Sequence, residues 1–175
     1  LRTTDENQPK IYGTQGTKIE YSSDAAWSGR VGFQDGEADL TNFIDKGYSV
    51  EYFVKFDESM LKNDRWFAFK HWFKNNSDSW ATKKDECTII RYNNGSYPST
   101  LGIQDTEWHR ISFPLTSTLM QGGTKVWQFI IDPDFGYDTN DPNRPGVELS
   151  KDAAAAMGSI FYLDEVRLVR KTPTE

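Results

Sequence analysis

The chain has 175 residues, of which 37% are hydrophobic and 14% are aromatic, and it carries a formal net charge of −6. This length predicts one domain whose core needs no disulfide or metal support, and the single cysteine, Cys87, excludes an internal disulfide. The acidic charge argues against a nucleic-acid groove or an anionic membrane surface, and it is compatible with a neutral ligand.

Both ends of the chain are polar and contain proline, as linkers do. We expect residues 1–17 to form an N-terminal arm, residues 18–170 to form one folded domain and residues 171–175 to form a C-terminal linker. No apolar run approaches the roughly 20 residues of a membrane-spanning helix. We therefore expect a module of a larger protein that has no membrane segment of its own.

Period-two alternation of apolar and polar residues predicts about eight or nine strands. The segments with this pattern cover residues 18–22, 30–33, 48–56, 65–73, 87–92, 108–115, 126–132 and 160–169. Residues 132–146 are expected to form a long polar loop, and residues 150–157 a short helix that Ser150 caps and Gly158 ends. Strands joined by turns, with one minor helix, predict an all-β fold, a two-sheet antiparallel sandwich.

Two of these strands define the predicted core. In residues 48–56, every second residue starting at Tyr48 is aromatic or aliphatic and should face inward. In residues 65–73, one face carries Phe67, Phe69, His71 and Phe73, and the other carries Trp66, Ala68, Lys70 and Trp72. Because a sheet usually buries one face, the phenylalanine face is the core face and the two tryptophans are expected to be exposed. Trp108 and Trp127 are expected to pack in the core.

Three of the strands resemble those of the jelly-roll carbohydrate-binding modules attached to enzymes that degrade plant cell walls. They are the closing strand Ile160-Phe161-Tyr162-Leu163-Asp164-Glu165-Val166-Arg167-Leu168, the segment Trp108 to Leu115, and the segment Tyr48 to Phe56. The resemblance covers residues 18–169 and implies a jelly-roll sandwich that binds polysaccharide. It also implies an attached catalytic domain and an extracellular location, and we expect the module to be a monomer.

The resemblance also implies a structural calcium ion. In such modules the aspartate of the closing strand often helps to hold calcium, and the matching residue is Asp164. Calcium needs six to eight oxygen ligands, so companions are required, and Glu20 and Glu165 are the candidates. The alternative is that Asp164 is a hydrogen-bonded carboxylate at the end of a strand.

The ligand expected from this resemblance is the interior of a β-glucan chain, either β-1,4-linked or mixed-linked, with xyloglucan and glucomannan as further candidates. Aromatic rings stack on the apolar C–H faces of sugars, and polar side chains bind the hydroxyl groups. Trp66 and Trp72 are the candidates for stacking. The other candidate contacts are Lys70, Trp80, Arg91, Tyr97 and Gln128. The alternative for both tryptophans is burial under the loop at residues 132–146.

No catalytic constellation is recognisable in the sequence. A retaining glycosidase needs two carboxylates about 5 Å apart across a cleft. The adjacent pairs Asp85-Glu86 and Asp164-Glu165 would point to opposite faces of a strand. We therefore expect a non-catalytic module. The alternatives are a small jelly-roll glycoside hydrolase or polysaccharide lyase and a protein-interaction sandwich, which could also use an exposed aromatic patch.

Overall fold

The computed structural model describes ten segments of the chain, to which all structural statements below refer: residues 2–5, 16–21, 31–33, 36–62, 65–75, 90–92, 103, 105–120, 122–137 and 153–170. Eleven strands form two main sheets and a small ribbon, and every strand pair is antiparallel. The predicted all-β sandwich is therefore confirmed. No helix within these segments is long and apolar enough to cross a membrane.

The larger sheet has five strands in the order β1-β2-β11-β5-β8. Their bounds are Arg2–Asp5 for β1, Gly16–Glu20 for β2, Tyr48–Phe56 for β5, Trp108–Pro114 for β8 and Ile160–Arg170 for β11. Strand β1 lies in the predicted N-terminal arm and pairs with β2, so this part of the arm belongs to the sheet. The predicted linker at residues 171–175 lies outside the described residues.

The smaller sheet has four strands in the order β3-β10-β6-β7. Their bounds are Val31–Phe33 for β3, Arg65–Lys74 for β6, Ile90–Tyr92 for β7 and Gln128–Tyr137 for β10. Strands β4 (Ala38–Asp39) and β9 (Lys125–Val126) form the ribbon. The helical elements within the described segments are one short helix, α1 (Thr41–Asp45), and two 3₁₀ turns, Glu58–Met60 and Ala153–Ala156.

The core lies where the inner faces of β5 and β6 meet. The predicted face of β6 is buried, with Phe67, Phe69, His71 and Phe73 each at most 4% exposed. The Phe56 ring of β5 packs against Phe67 and Phe69 at centroid distances of 4.6 and 5.6 Å. The alternation in these two strands therefore predicted the core correctly, because period two separates the faces of a strand.

A polar pair crosses this apolar core. The Tyr52 hydroxyl and His71 Nε2 share a hydrogen bond of 2.7 Å, and both residues are almost fully buried. Burial raises the pKa of Tyr52 well above its ordinary value, so the hydroxyl stays protonated and can donate a hydrogen bond to the imidazole. The His71 ring also packs against Phe113, at a centroid distance of 4.7 Å.

Strand β11 contains a bulge beside its neighbour β5. Asp164 lies opposite Phe53 and Arg167 lies opposite Glu51, so Glu165 and Val166 together oppose one residue of β5. Glu165 has φ 51, the left-handed conformation in which glycine is usual at this kind of bulge. The extra residue inverts the alternation of β11, which puts both Leu163 and Leu168 on the inner face.

Strand β10 extends into the segment predicted as a long loop. Residues 132–137 pair with residues 65–70 of β6, and Pro133 lies opposite Phe69. Proline is tolerated there because β3 pairs with β10 only as far as Ile131, which leaves one side of Pro133 without a described strand neighbour. The rest of the predicted loop lies outside the described residues. Within the predicted helix at residues 150–157, the structure describes only the 3₁₀ turn Ala153–Ala156.

Replacing Tyr52 with phenylalanine should lower the free energy of unfolding by about 1–3 kcal/mol, because the buried hydrogen bond between its hydroxyl and His71 Nε2 would be lost. Denaturant unfolding measures this as a lower midpoint with an unchanged slope. Tyr162→Phe is the control, because that ring lies half-exposed on the outside of the larger sheet. Equal stability of the two variants would contradict the structural importance of the pair.

Glycine and alanine at position 165 should separate backbone strain from the ion pair of Glu165 with Arg167. Both variants lose that ion pair, but only glycine adopts positive φ without cost. We therefore expect Glu165→Gly to be more stable than Glu165→Ala by about 1 kcal/mol in denaturant unfolding. An alanine variant as stable as the glycine variant would contradict the strained bulge.

Candidate functional site

The outer face of the smaller sheet contains the strand positions predicted to bind a ligand. Trp66, Lys70 and Trp72 alternate with the buried phenylalanines of β6, and Arg91 pairs with Ala68 on the same face. Gln128 joins this face at the start of β10, opposite Lys74. The side chains of Trp66, Lys70 and Arg91 lie outside the described part of the structure, and Trp80 and Tyr97 lie outside it entirely.

Trp72 does not occupy the exposed position predicted for it. Its side chain is on the outer face by alternation, yet it is only 4% exposed. Ile130, directly opposite on β10, is also 4% exposed, and Gly136, opposite Trp66, is buried. This part of the face is therefore covered. The physical reason for the error is that alternation assigns a residue to a face but does not tell whether that face is open.

Gln128 is half-buried at the edge of the same sheet. Its amide lies over Gly32 of β3, so closely that a side chain at position 32 would require the end of the Gln128 side chain to move. The neighbouring Trp127, predicted to be in the core, is half-buried instead, with the Lys74 ammonium 6.0 Å from its ring centroid. Gln128 thus packs against the edge strand β3, two residues along β10 from Ile130, which lies opposite Trp72.

The outer face of the larger sheet offers a different arrangement. Strand pairing aligns four of its residues in a row: Trp108 of β8 pairs with Lys55 of β5, Lys55 with Tyr162 of β11, and Tyr162 with Lys18 of β2. All four side chains are half-buried, so each presents part of its surface to solvent. We call these four residues the aromatic row. It combines flat rings with hydrogen-bond donors on a broad sheet surface.

A second line of residues runs beside the aromatic row. Arg110, Phe53 and Asp164 lie opposite one another on β8, β5 and β11. The Arg110 side chain is 65% exposed, and Phe53 and Asp164 are half-buried. The Arg167 guanidinium lies 6.0 Å from the Phe53 ring centroid. The surface next to the row is therefore mixed in charge and partly aromatic.

The charges on this face are largely compensated. Lys18 Nζ donates to Glu20 at 2.8 Å, and Arg167 donates to Glu51 at 2.7 Å and to Glu165 at 2.8 Å. Glu51 is buried although it lies on the outer face, and Arg110 approaches it at 3.7 Å. Paired charges offer donors and acceptors without a strong net field, which suits a ligand rich in hydroxyl groups.

A short turn before β8 supports the aromatic row. Lys55 Nζ donates to the carbonyl oxygen of Thr106. His109 Nε2 donates to Asp105 at 2.6 Å, and the Glu107 backbone N–H donates to the same carboxylate oxygen at 2.9 Å. The hydrogen bond from His109 is the main cause, and that from Glu107 a further cause, of a pKa of Asp105 below its ordinary value. The turn therefore fixes both the start of the Trp108 strand and the position of Lys55.

The predicted calcium ligands do not form one cluster. Glu20 lies opposite Ile160, so Asp164 is four residues further along β11, about 13 Å away at ~3.3 Å per residue. Glu20 is bound to Lys18, and Glu165 is bound to Arg167. Among the described residues no group of three or more His, Cys, Asp or Glu side chains could hold a metal ion. Asp164 and Glu20 therefore do not share a coordination shell, and a calcium site at Asp164 stays a prediction.

An apolar cleft of about 250 Å³ lies between the sheets, away from the aromatic row. Its walls include Phe33, Val50, Phe73, Phe129 and Leu168. A polysaccharide needs many hydrogen-bond partners along an open groove, and these walls provide few. The cleft therefore does not compete with the aromatic row as a polysaccharide site.

Sequence reasoning missed the aromatic row although the signal was present. Trp108 has the parity opposite to that of the apolar residues Ile111 and Phe113, which are buried, yet it was assigned to the core. Tyr162 alternates with the buried Phe161 and Leu163 in the same way. The alternation in β8 and β11 thus predicts both outward rings. Their alignment in one row depends on strand order and register, which the sequence does not reveal.

No protein-family model matches the chain, and a search of curated proteins found no significant relative. Among solved structures, a DUF4465 family protein from Bacteroides caccae is similar, at 14% identity and a TM-score of 0.46, over 93% of this chain and 64% of that protein. The CBM22-1 xylan-binding domain from Paenibacillus barcinonensis Xyn10C is similar at 12% identity and a TM-score of 0.39, over 98% of this chain and 83% of that domain. These likenesses are too distant to carry an argument about function, which must come from the site.

The low pKa of Asp105 makes the turn before β8 sensitive to acid. A carboxylate whose pKa is lower in the folded state than in the unfolded state stabilises the fold. The contribution is fully present above the unfolded pKa of about 4, and it is lost as the pH falls through the lower pKa of the folded state. Asp105→Asn should therefore lower the thermal midpoint by about 1–3 °C at pH 6.5, and the difference should shrink near pH 3. Asp45→Asn, at an exposed position of α1, removes the same negative charge without touching the turn before β8 and is the control. A difference for Asp105→Asn that is the same at both pH values would contradict the assignment.

Proposed function

We propose that this chain is a non-catalytic carbohydrate-binding module that binds the interior of a β-glucan chain on the outer face of the larger sheet. Its role would be to hold an attached enzyme near its polysaccharide substrate outside the cell. The proposal retains the ligand class expected from the sequence, and it moves the binding face from the smaller sheet to the larger one.

The observation that supports the proposal is the aromatic row. Trp108 and Tyr162 lie on one face of one sheet, and each has a lysine as its neighbour on the next strand. Aromatic faces stack on the C–H faces of sugar rings, and ammonium groups donate to hydroxyl groups. An apolar patch for a protein partner would instead be expected to have contiguous hydrophobic side chains, without this alternation with lysine.

The arrangement of carboxylates supports a binding role rather than hydrolysis. Among the described carboxylates of this face, Glu51 is buried beside Arg167, and Glu20 is bound to Lys18. Asp164 lies on the same face as both, but it is separated from Glu20 by the register of β11. A hydrolase would need two carboxyl groups converging across a cleft.

Native gels that contain soluble polysaccharide test the proposal. The protein should be retarded by hydroxyethyl cellulose, mixed-linkage β-glucan, xyloglucan or glucomannan. Trp108→Ala should weaken binding by roughly 5- to 100-fold, because stacking on one aromatic ring contributes on the order of 1–3 kcal/mol. Trp127→Ala is the matched control, because Trp127 lies away from the aromatic row.

Three results would contradict the proposal. Lack of retardation by all of these polymers and by xylan would exclude polysaccharide binding of this class. Equal losses in Trp108→Ala and Trp127→Ala, with both variants folded by circular dichroism, would place the site elsewhere. Release of new reducing ends from any of the polymers would show that the protein is an enzyme.

A further inference from the structure

The register of the larger sheet fixes the spacing within the aromatic row. Trp108, Lys55, Tyr162 and Lys18 stand on four neighbouring strands, one residue from each. Adjacent strands lie about 4.8 Å apart, so the two aromatic positions are separated by roughly 10 Å. One lysine lies between the rings, and the other lies beyond Tyr162. A ligand that uses the whole row must therefore cross the strands instead of following one of them.

A β-1,4-linked chain has a geometry that matches this spacing. Each sugar is turned over relative to the one before it, so alternate sugars repeat the same orientation along a nearly straight chain. With about one sugar above each strand, Trp108 and Tyr162 would contact two sugars in the same orientation, and Lys55 would contact the sugar between them. A β-1,3 chain curves into a helix and cannot place alternate sugars along such a row.

Lys55 is held in position for this contact. One of its three N–H donors binds the Thr106 carbonyl, which anchors the ammonium group at the turn before β8, beside the strand that carries Trp108. An ammonium group has two further N–H donors, which can bind ligand hydroxyls. Anchoring reduces the entropy that the side chain would lose on binding.

The twist of the sheet adds a second restriction. Neighbouring strands are rotated by roughly 20–25°, so positions two strands apart differ in orientation by about 45°. The strand positions that carry Trp108 and Tyr162 therefore do not share one plane, as the sugars on a crystal surface do. A single chain in solution can twist to follow both rings.

We infer that the aromatic row binds one isolated β-1,4-linked chain across the strands, about one sugar per strand, and that it discriminates against β-1,3 linkage and against crystalline cellulose. This inference rests on the proposed function and adds the linkage, the orientation and the minimum length of the ligand. Contact with both rings needs at least three consecutive sugars.

Calorimetric titration with β-1,4-linked gluco-oligosaccharides tests the inference. Affinity should rise at least about tenfold from the disaccharide to the trisaccharide, because only the trisaccharide reaches both rings. It should change little beyond the tetrasaccharide, which covers the four strands of the row. β-1,3-linked tetra- and hexasaccharides should bind at least about tenfold more weakly than their β-1,4 counterparts.

Variants locate the effect within the row. Trp108→Ala and Tyr162→Ala should each abolish most of the gain from disaccharide to trisaccharide, whereas the control Trp127→Ala should keep it. Microcrystalline cellulose should remove little protein from solution under conditions in which hydroxyethyl cellulose retards it.

The outcomes separate this inference from the proposed function. Absence of binding to every polymer and oligosaccharide would overturn both. Binding with equal affinity for the two linkages, or with equal affinity for the disaccharide and the tetrasaccharide, would overturn only the inference. Tight adsorption to microcrystalline cellulose that is lost in Trp108→Ala would also overturn it, because it would show that the rings are coplanar.

Discussion

The packing of β5 against β6 is the constraint on which the rest of the structure depends. Each strand lies inside its sheet, and Phe56, Phe67 and Phe69 interlock where the two inner faces meet. Because successive side chains alternate, every inward residue fixes the outward position of its neighbours. Lys55 is held on the outer surface because Val54 and Phe56, on either side of it, are fully buried. The position of the aromatic row is thus a consequence of core packing on the opposite side of the same strand.

Much of the fold could be predicted from alternation alone. The bounds of β5 agree with the prediction, and the buried face of β6 was assigned correctly, because one-sided burial produces a strong period of two. The prediction at β10 was less accurate. Asp132, Pro133 and Asp134 suggested a loop, yet they extend the strand along β6. Pairing with an aromatic-rich neighbour outweighed the local preference of these residues for turns.

The candidate site was less predictable than the fold, for two physical reasons. Whether an outward face is open depends on what packs over it, and Trp72 shows that an outward tryptophan can still be buried. The alignment of Trp108 with Tyr162 depends on which strands become neighbours, and these residues are 54 positions apart in the printed sequence. Local sequence patterns predict the direction in which each side chain points, but they do not predict which strand pairs with which.

The bulge in β11 has a consequence for how this strand can change during evolution. The extra residue at Glu165 reverses the phase of everything after it, so Arg167 faces solvent and Leu168 faces the core only while that residue is present. Deleting it would turn the arginine into the interior and the leucine out of it. Loss of the bulge would therefore require simultaneous substitutions along the second half of the strand.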